Sequence, residues 1–96
     1  MENNKTNILE QLDIVLKERK KEDSSKSYVS SLYSKGNEAI NNKIIEECNE
    51  YIESTANNDR KHMIHEATDL WFHTLVSLSL NDISSSDILK ELERRF

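Results

Sequence analysis

Apolar residues recur along the chain at spacings of three and four, which is the period of an amphipathic helix. Polar stretches divide this pattern into five segments. Proline is absent and glycine occurs once, whereas sheets with tight turns usually need more of both. We therefore predict an all-α helical bundle forming one domain over residues 1–96, with helices at about 7–21, 28–35, 37–56, 59–80 and 87–95.

Residues at the segment ends predict where these helices begin and end. Gly36 is suited to end the second helix, because glycine readily adopts the left-handed conformation found there. Asn58 is a plausible N-cap for the fourth helix. The polar run at 17–27 predicts a helix end followed by a mobile, solvated loop. Two capping boxes are indicated, Asn7 with Glu10 and Ser84 with Asp87.

The two long helices each carry an apolar stripe along one side. We expect them to pack antiparallel with these stripes in contact, and we predict that the aromatic residues Trp71 and Phe72 lie in the core. The stripe of the third helix consists of Ile40, Ile44, Cys48, Tyr51 and Thr55. The stripe of the fourth consists of Met63, Ala67, Leu70, Trp71, Thr74 and Leu78.

The composition predicts self-association. Only 35% of the 96 residues are hydrophobic, and a domain of this size buries a limited share of its surface on folding. We therefore expect a core completed by homo-oligomerisation, as a homodimer or a higher homo-oligomer.

Charge and cysteine content narrow the possible partners and compartments. Eighteen acids against 13 bases leave a net charge of −5, which argues against a nucleic acid or an anionic membrane as the partner. The most apolar run, 70–80, is too short to span a bilayer. Cys48 is the single cysteine, and the N-terminal residues lack the apolar stretch of a signal peptide. These features predict a soluble, cytoplasmic protein.

Acidic residues lie beside both apolar stripes. On the third helix they follow Lys43, and on the fourth they share one strip with His62 and His73, of which His62 is expected at the surface. Facing strips of carboxylates repel one another, by about 4 kcal/mol per close pair at an effective dielectric of 20. A hard divalent cation such as Mg²⁺ would offset this repulsion and could bind substrate phosphates. The acids are Glu46, Glu47 and Glu50 on the third helix, and Glu66 and Asp69 on the fourth.

A single Glu-x-x-Glu pair is most often only a solvated face. Two such strips on neighbouring helices make a metal site the better interpretation, and no Cys/His cluster indicates zinc. His65 has no evident role and is expected to be exposed.

The segment 27–78 resembles the phosphoribosyl-ATP pyrophosphatase family of histidine biosynthesis, within the MazG-type all-α nucleoside triphosphate pyrophosphatases. The resemblance rests on Ser27-Tyr28, on Lys35-Gly36, on Lys43 before E-E-x-x-E, and on Glu66-Ala-Thr-Asp69-Leu followed by His73. It implies hydrolysis of phosphoribosyl-ATP to phosphoribosyl-AMP and pyrophosphate, with water attacking between the α- and β-phosphates.

The resemblance also implies roles for particular residues. Glu46 would be a further metal ligand or the base that orients the water, and Glu47 is a second catalytic candidate. His73 would orient Asp69 or touch the substrate. The implied Mg²⁺ ligands are Glu47, Glu50, Glu66 and Asp69, and the implied phosphate-binding residues are Lys35 and Lys43.

Two departures from the family pattern bear on substrate affinity. Ile45 stands where the family commonly has glycine, and Ser31 stands where relatives often carry lysine. Two alternatives remain open at this point. One is a MazG-type pyrophosphatase for another nucleoside triphosphate, and the other is a non-catalytic helical dimerisation module.

Overall fold

The computed structural model describes residues 7–96 and shows only helices as regular secondary structure within that range. This confirms the all-α prediction. The first six residues lie outside the described range. They belong to the predicted 1–96 domain and to the N-terminal stretch that is predicted to lack a signal peptide. The helices are α1 (Ile8–Arg19), α2 (Tyr28–Lys35), α3 (Asn37–Ala56), α4 (Arg60–Leu80) and α5 (Ser85–Arg95).

The junctions around α3 explain why the long helices begin and end where they do. Gly36 has φ +88°, and its N–H donates to the Leu32 carbonyl, so it ends α2 as predicted. The N-cap of α4 is Asp59 rather than Asn58, because the Asp59 side chain accepts the His62 N–H at 3.3 Å. Asn58 instead has φ +56°, a left-handed conformation that asparagine tolerates, and it makes the turn.

The N-terminus of α5 is held by α1. Ser84 donates its N–H to Asp87 Oδ2 at 3.0 Å, as the predicted capping box requires. The helix begins at Ser85, two residues before the predicted start. The reason is a tertiary contact: Asp13 of α1 accepts the Ser85 N–H at 3.0 Å and the Ser85 hydroxyl at 2.6 Å.

The core lies where α1 and α2 cover the antiparallel pair of α3 and α4. Phe72 packs against this core, as predicted, together with other half-buried apolar residues. None of the described helices is both long and apolar enough to cross a bilayer. The fully buried apolar residues are Leu16, Val29, Leu32, Ile40 and Val76.

The apolar stripe of α4 does not lie in this core. Trp71 is 64% exposed, so its predicted core position is wrong. The buried positions of α4 are Glu66, His73 and Val76, which lie on a different side of the helix. Because α1 and α2 pack against the side of α4 that carries Val76, the predicted stripe is turned away from the core. Four of its residues, Leu70, Trp71, Thr74 and Leu78, line an open apolar groove instead.

Candidate metal centre and active site

The acids of α3 form one compact group. Ligand oxygens of Glu46, Glu47 and Glu50 lie within 4.8 Å of one another. Lys43, one turn earlier, places its Nζ 2.6 Å from Glu46 Oε1 and 3.9 Å from Glu47 Oε1. The hydrogen bond from Lys43 lowers the pKa of Glu46 and, reciprocally, raises the pKa of Lys43. Lys43 therefore neutralises one edge of the group.

A second group lies on α4, one turn long. Side-chain ligand atoms of His65, Glu66 and Asp69 also come within 4.8 Å of one another. His65 Nε2 is 3.4 Å from Asp69 Oδ2, and His62 Nε2 is 3.5 Å from Glu66 Oε2. Each carboxylate of this helix therefore has an imidazole one turn before it. His65 is exposed, as expected, but it lies beside Asp69, a contact that the sequence pattern did not predict.

Glu47 and Glu66 are buried, at 6% and 7% exposure. Neither Glu47 Oε2 nor Glu66 Oε1 has a hydrogen-bond partner among the described residues. Burying a carboxylate oxygen without a partner is costly, so native proteins normally supply a donor or a cation. The sequence pattern placed these acids at the border of the buried face, whereas the structure places both within it.

The acidic groups of α3 and α4 lie close enough for the charges of one to shift the pKa of the other. Repulsion from Glu47 raises the pKa of Glu50, and Glu66 of the opposite helix adds to the effect. His73 of α4 has its Nδ1 4.0 Å from Glu47 Oε1 of α3. The antiparallel packing of α3 and α4 thus brings the two groups to one side of the molecule.

His73 is 6% exposed, and protein groups lie against both of its ring nitrogens. Its Nδ1 is 2.9 Å from the Asp69 carbonyl oxygen, and its Nε2 is 2.8 Å from the Tyr28 hydroxyl. The Ser27-Tyr28 motif by itself indicates no role for Tyr28. Forty-five residues separate it from His73, so no local spacing could have indicated their contact.

The lysine predicted to bind phosphate at the end of α2 lies apart from these contacts. Lys35 is exposed at the C-terminal end of that helix. Among residues 7–96, the ion pairs and hydrogen bonds of the acidic groups do not include it. Its role in binding phosphate stays a prediction.

The donor set fits a divalent cation. Carboxylate oxygens from two helices are the ligands that Mg²⁺ and similar hard cations prefer. The two unpartnered buried oxygens, Glu47 Oε2 and Glu66 Oε1, are free to bind one. Glu50 and Asp69 are half-buried beside them, so a bound cation would remain accessible to a phosphate ligand.

Comparison with known proteins identifies relatives over nearly the whole chain. Residues 9–96 match the family described as phosphoribosyl-ATP pyrophosphohydrolase. A protein of Azoarcus sp. (strain BH72) named phosphoribosyl-ATP pyrophosphatase is 47% identical over 88 residues, covering 92% of this chain and 82% of that protein. Proteins of the same name are 47% identical in Hydrogenovibrio crunogenus, over 93% of this chain and 82% of the relative, and 39% identical in Neisseria gonorrhoeae, over 92% and 82%.

Proposed function

The chain belongs to the phosphoribosyl-ATP pyrophosphohydrolase family, and from this premise we propose that it hydrolyses phosphoribosyl-ATP to phosphoribosyl-AMP and pyrophosphate. The reaction is the histidine-biosynthesis step that the family resemblance implied. Water attacks between the α- and β-phosphates, and the protein acts as a hydrolase on an acid anhydride of a nucleotide.

The observation that carries this proposal is the pair of buried, unpartnered carboxylate oxygens on facing helices. We assign Glu47, Glu50, Glu66 and Asp69 as the residues that hold Mg²⁺, directly or through water. When bound, the cation would neutralise charge on the pyrophosphate leaving group and lower the pKa of a coordinated water. The four carboxylates hold this position on two rigid helices, which limits rearrangement during turnover.

The other polar residues of the site take supporting roles. Lys43 lies at the edge of the acidic group, where its ammonium can bind a phosphate oxygen as a point charge. Its hydrogen bond makes Glu46 a weak base, because a carboxylate with a lowered pKa binds a proton less tightly. Glu46 therefore serves mainly to hold Lys43, which leaves Glu47, the second catalytic candidate, as the better group to orient the attacking water.

Two alternatives from the sequence remain as outcomes of the test. A MazG-type pyrophosphatase for another triphosphate would use the same acids. The relatives' names favour phosphoribosyl-ATP over such a substrate. A non-catalytic dimerisation module would leave the acids without a ligand, and the buried oxygens of Glu47 and Glu66 argue against it.

The test measures pyrophosphate release from phosphoribosyl-ATP with Mg²⁺, with and without EDTA, against a panel of ribo- and deoxyribonucleoside triphosphates. We expect EDTA-sensitive turnover of phosphoribosyl-ATP and little of the others. Glu66→Gln should lower kcat/KM about 100-fold or more, because a buried ligand is lost. The matched control is Glu53→Gln, an exposed glutamate of α3 outside both acidic groups.

The control should change kcat/KM by no more than about twofold, as is usual for exposed positions. Turnover of a different triphosphate would replace the substrate and keep the site. Equal activity of Glu66→Gln and Glu53→Gln would remove the metal assignment. A folded protein with no turnover of any substrate and no thermal stabilisation by Mg²⁺ would favour the dimerisation module.

We also propose that the chain forms a homodimer or a higher homo-oligomer in the cytoplasm. A groove of about 480 Å³ runs between α3, α4 and α5 and is open to solvent. Large exposed apolar patches usually mark sites of association. A second copy covering this groove would complete the core that the sequence predicted to be too small. Its lining includes Ile44, Leu70, Trp71, Leu75, Ile88 and Leu89.

A further inference from the structure

Tyr28, the first residue of α2, is hydrogen-bonded to His73, the most buried histidine of the site. The Tyr28 hydroxyl lies 2.8 Å from His73 Nε2, and the two rings meet edge-on at a centroid distance of 5.8 Å. The ring of Phe72 lies against the same imidazole, also edge-on, at 5.3 Å. The His73 ring is therefore enclosed, although Tyr28 itself is 52% exposed.

The hydrogen-bond partners determine which nitrogen carries the proton in the neutral ring. The Asp69 carbonyl oxygen can only accept, so His73 Nδ1 must donate to it. A neutral imidazole has a single N–H, so Nε2 is an acceptor and the Tyr28 hydroxyl is its donor. His73 Nδ1, which carries the proton in this arrangement, also lies 4.0 Å from Glu47 Oε1, close enough for an electrostatic contact but too far for a hydrogen bond.

We propose that Tyr28 is a positioning residue, whose hydroxyl holds the His73 ring so that its Nδ1–H faces the Asp69 carbonyl and the Glu47 carboxylate. The inference rests on the proposed function, because Glu47 is there assigned to bind the cation. Residues that hydrogen-bond to or orient metal ligands commonly affect metal affinity as much as some ligands do.

The physical argument is one of orientation. With the hydroxyl removed, His73 Nε2 loses its donor, and a 180° flip of the ring no longer breaks that bond. A flipped or mobile ring leaves the Asp69 carbonyl without its donor and no longer presents an N–H toward Glu47. Glu47 is then less well ordered, and its unpartnered Oε2 is less often in place for a cation.

The experiment compares Mn²⁺ binding by the substrate-free wild-type chain and by Tyr28→Phe, measured by titration calorimetry and by electron paramagnetic resonance of free Mn²⁺. We expect the Kd of Tyr28→Phe to rise about tenfold or more. The matched control is Tyr33→Phe. Tyr33 is in the same helix, but it packs against the hydrophobic core. Burial raises the pKa of its hydroxyl, and the polar groups that act on this pKa are Ser79 and Lys20 rather than the acids.

A Kd for Tyr28→Phe within about twofold of wild type would overturn the proposal, as would an equal loss in Tyr33→Phe. Should Tyr28→Phe fail to fold, the wild-type protein still decides. Long-range ¹H–¹⁵N NMR correlations of His73 must show the Nδ1–H tautomer, and the Nε2–H tautomer would overturn the inference. Wild-type Mn²⁺ binding without hydrolysis of phosphoribosyl-ATP would defeat the proposed function and leave the role of Tyr28 intact.

Discussion

At the scale of single residues, the carboxylates of α3 and α4 repel one another when no cation is bound. Glu50 shows this most directly, because repulsion from Glu47 and Glu66 raises the pKa of its carboxyl group. Lys43 relieves only the edge of the cluster, through its contacts with Glu46 and Glu47. The remaining negative charge favours binding of a cation and lowers the stability of the cation-free fold.

Glu50→Gln should therefore raise the melting temperature of the EDTA-treated protein while lowering its turnover of phosphoribosyl-ATP at least about tenfold. The substitution removes a repelled charge and keeps the side-chain shape. Circular-dichroism melting beside the activity assay measures both effects, with Glu53→Gln as the matched exposed control. A melting temperature below that of wild type would contradict the repulsion.

The same repulsion predicts a pH dependence. A raised pKa means that the folded state binds the Glu50 proton more tightly than the unfolded state does. The stabilisation is complete below the ordinary carboxyl value of 4.5 and is lost as pH rises through the raised value. The difference in melting temperature between Glu50→Gln and wild type should accordingly be small at low pH and grow toward neutrality. A difference that is constant with pH would point to a cause other than the charge.

At the scale of helices, the junction at Gly36 sets how α2 leads into α3. Gly36 has φ +88° and ψ −173°, a conformation that only glycine adopts readily. It both ends α2 and begins α3. Since α2 carries Tyr28 and α3 carries the first acidic group, this one residue affects how the two parts of the site meet.

Gly36→Ala should destabilise the fold by about 1–3 kcal/mol through backbone strain. Clashes with other parts of the chain contribute little, because a methyl group at this position would have no atom within 4 Å apart from those of its two neighbours in sequence. Urea unfolding measures the loss, and Ser34→Ala, an exposed position of α2 two residues earlier, is the control. A loss for Gly36→Ala no greater than that of the control would show that the junction relaxes into another conformation.

At the scale of the whole molecule, the two long helices bury several polar side chains and leave large apolar side chains exposed. The two long helices bury four polar residues, Glu47, Ser54, Glu66 and His73. Part of each apolar stripe instead lines the groove with α5, through Ile44 and Cys48 of α3 and Leu70, Trp71, Thr74 and Leu78 of α4. In the proposed oligomer, a second copy of the chain would cover the groove and bury Trp71, which is 64% exposed in the single chain.

Leu89→Glu should convert the proposed oligomer to monomer at micromolar concentration. Leu89 lines the groove and is 45% exposed, and a carboxylate there would have to be buried on association at a cost of several kcal/mol. Sedimentation velocity measures the change. Ile52→Glu is the matched control, because Ile52 is 63% exposed and lies outside the groove lining. Dissociation caused by Ile52→Glu instead would move the interface to another face.

Much of the fold and of the candidate site followed from local relations along the chain. The bounds of α2 and α3, the cap at Gly36 and the capping box at Ser84 were predicted correctly, because they depend on residues within one turn of each other. The spacing of Glu47 with Glu50 and of Glu66 with Asp69 also placed each pair on one helical face. The family assignment confirmed the resemblance that these motifs carried.

Only the tertiary structure decided which face of each long helix is buried. That choice depends on how α1 and α2 pack over α3 and α4, and no period along one helix contains it. It is why Trp71 is exposed and Glu66 is buried, against the sequence prediction. It also brings Tyr28 to His73 across 45 residues. Amphipathic spacing determines that a helix has two faces, and the free energy of packing the whole chain determines which one turns inward.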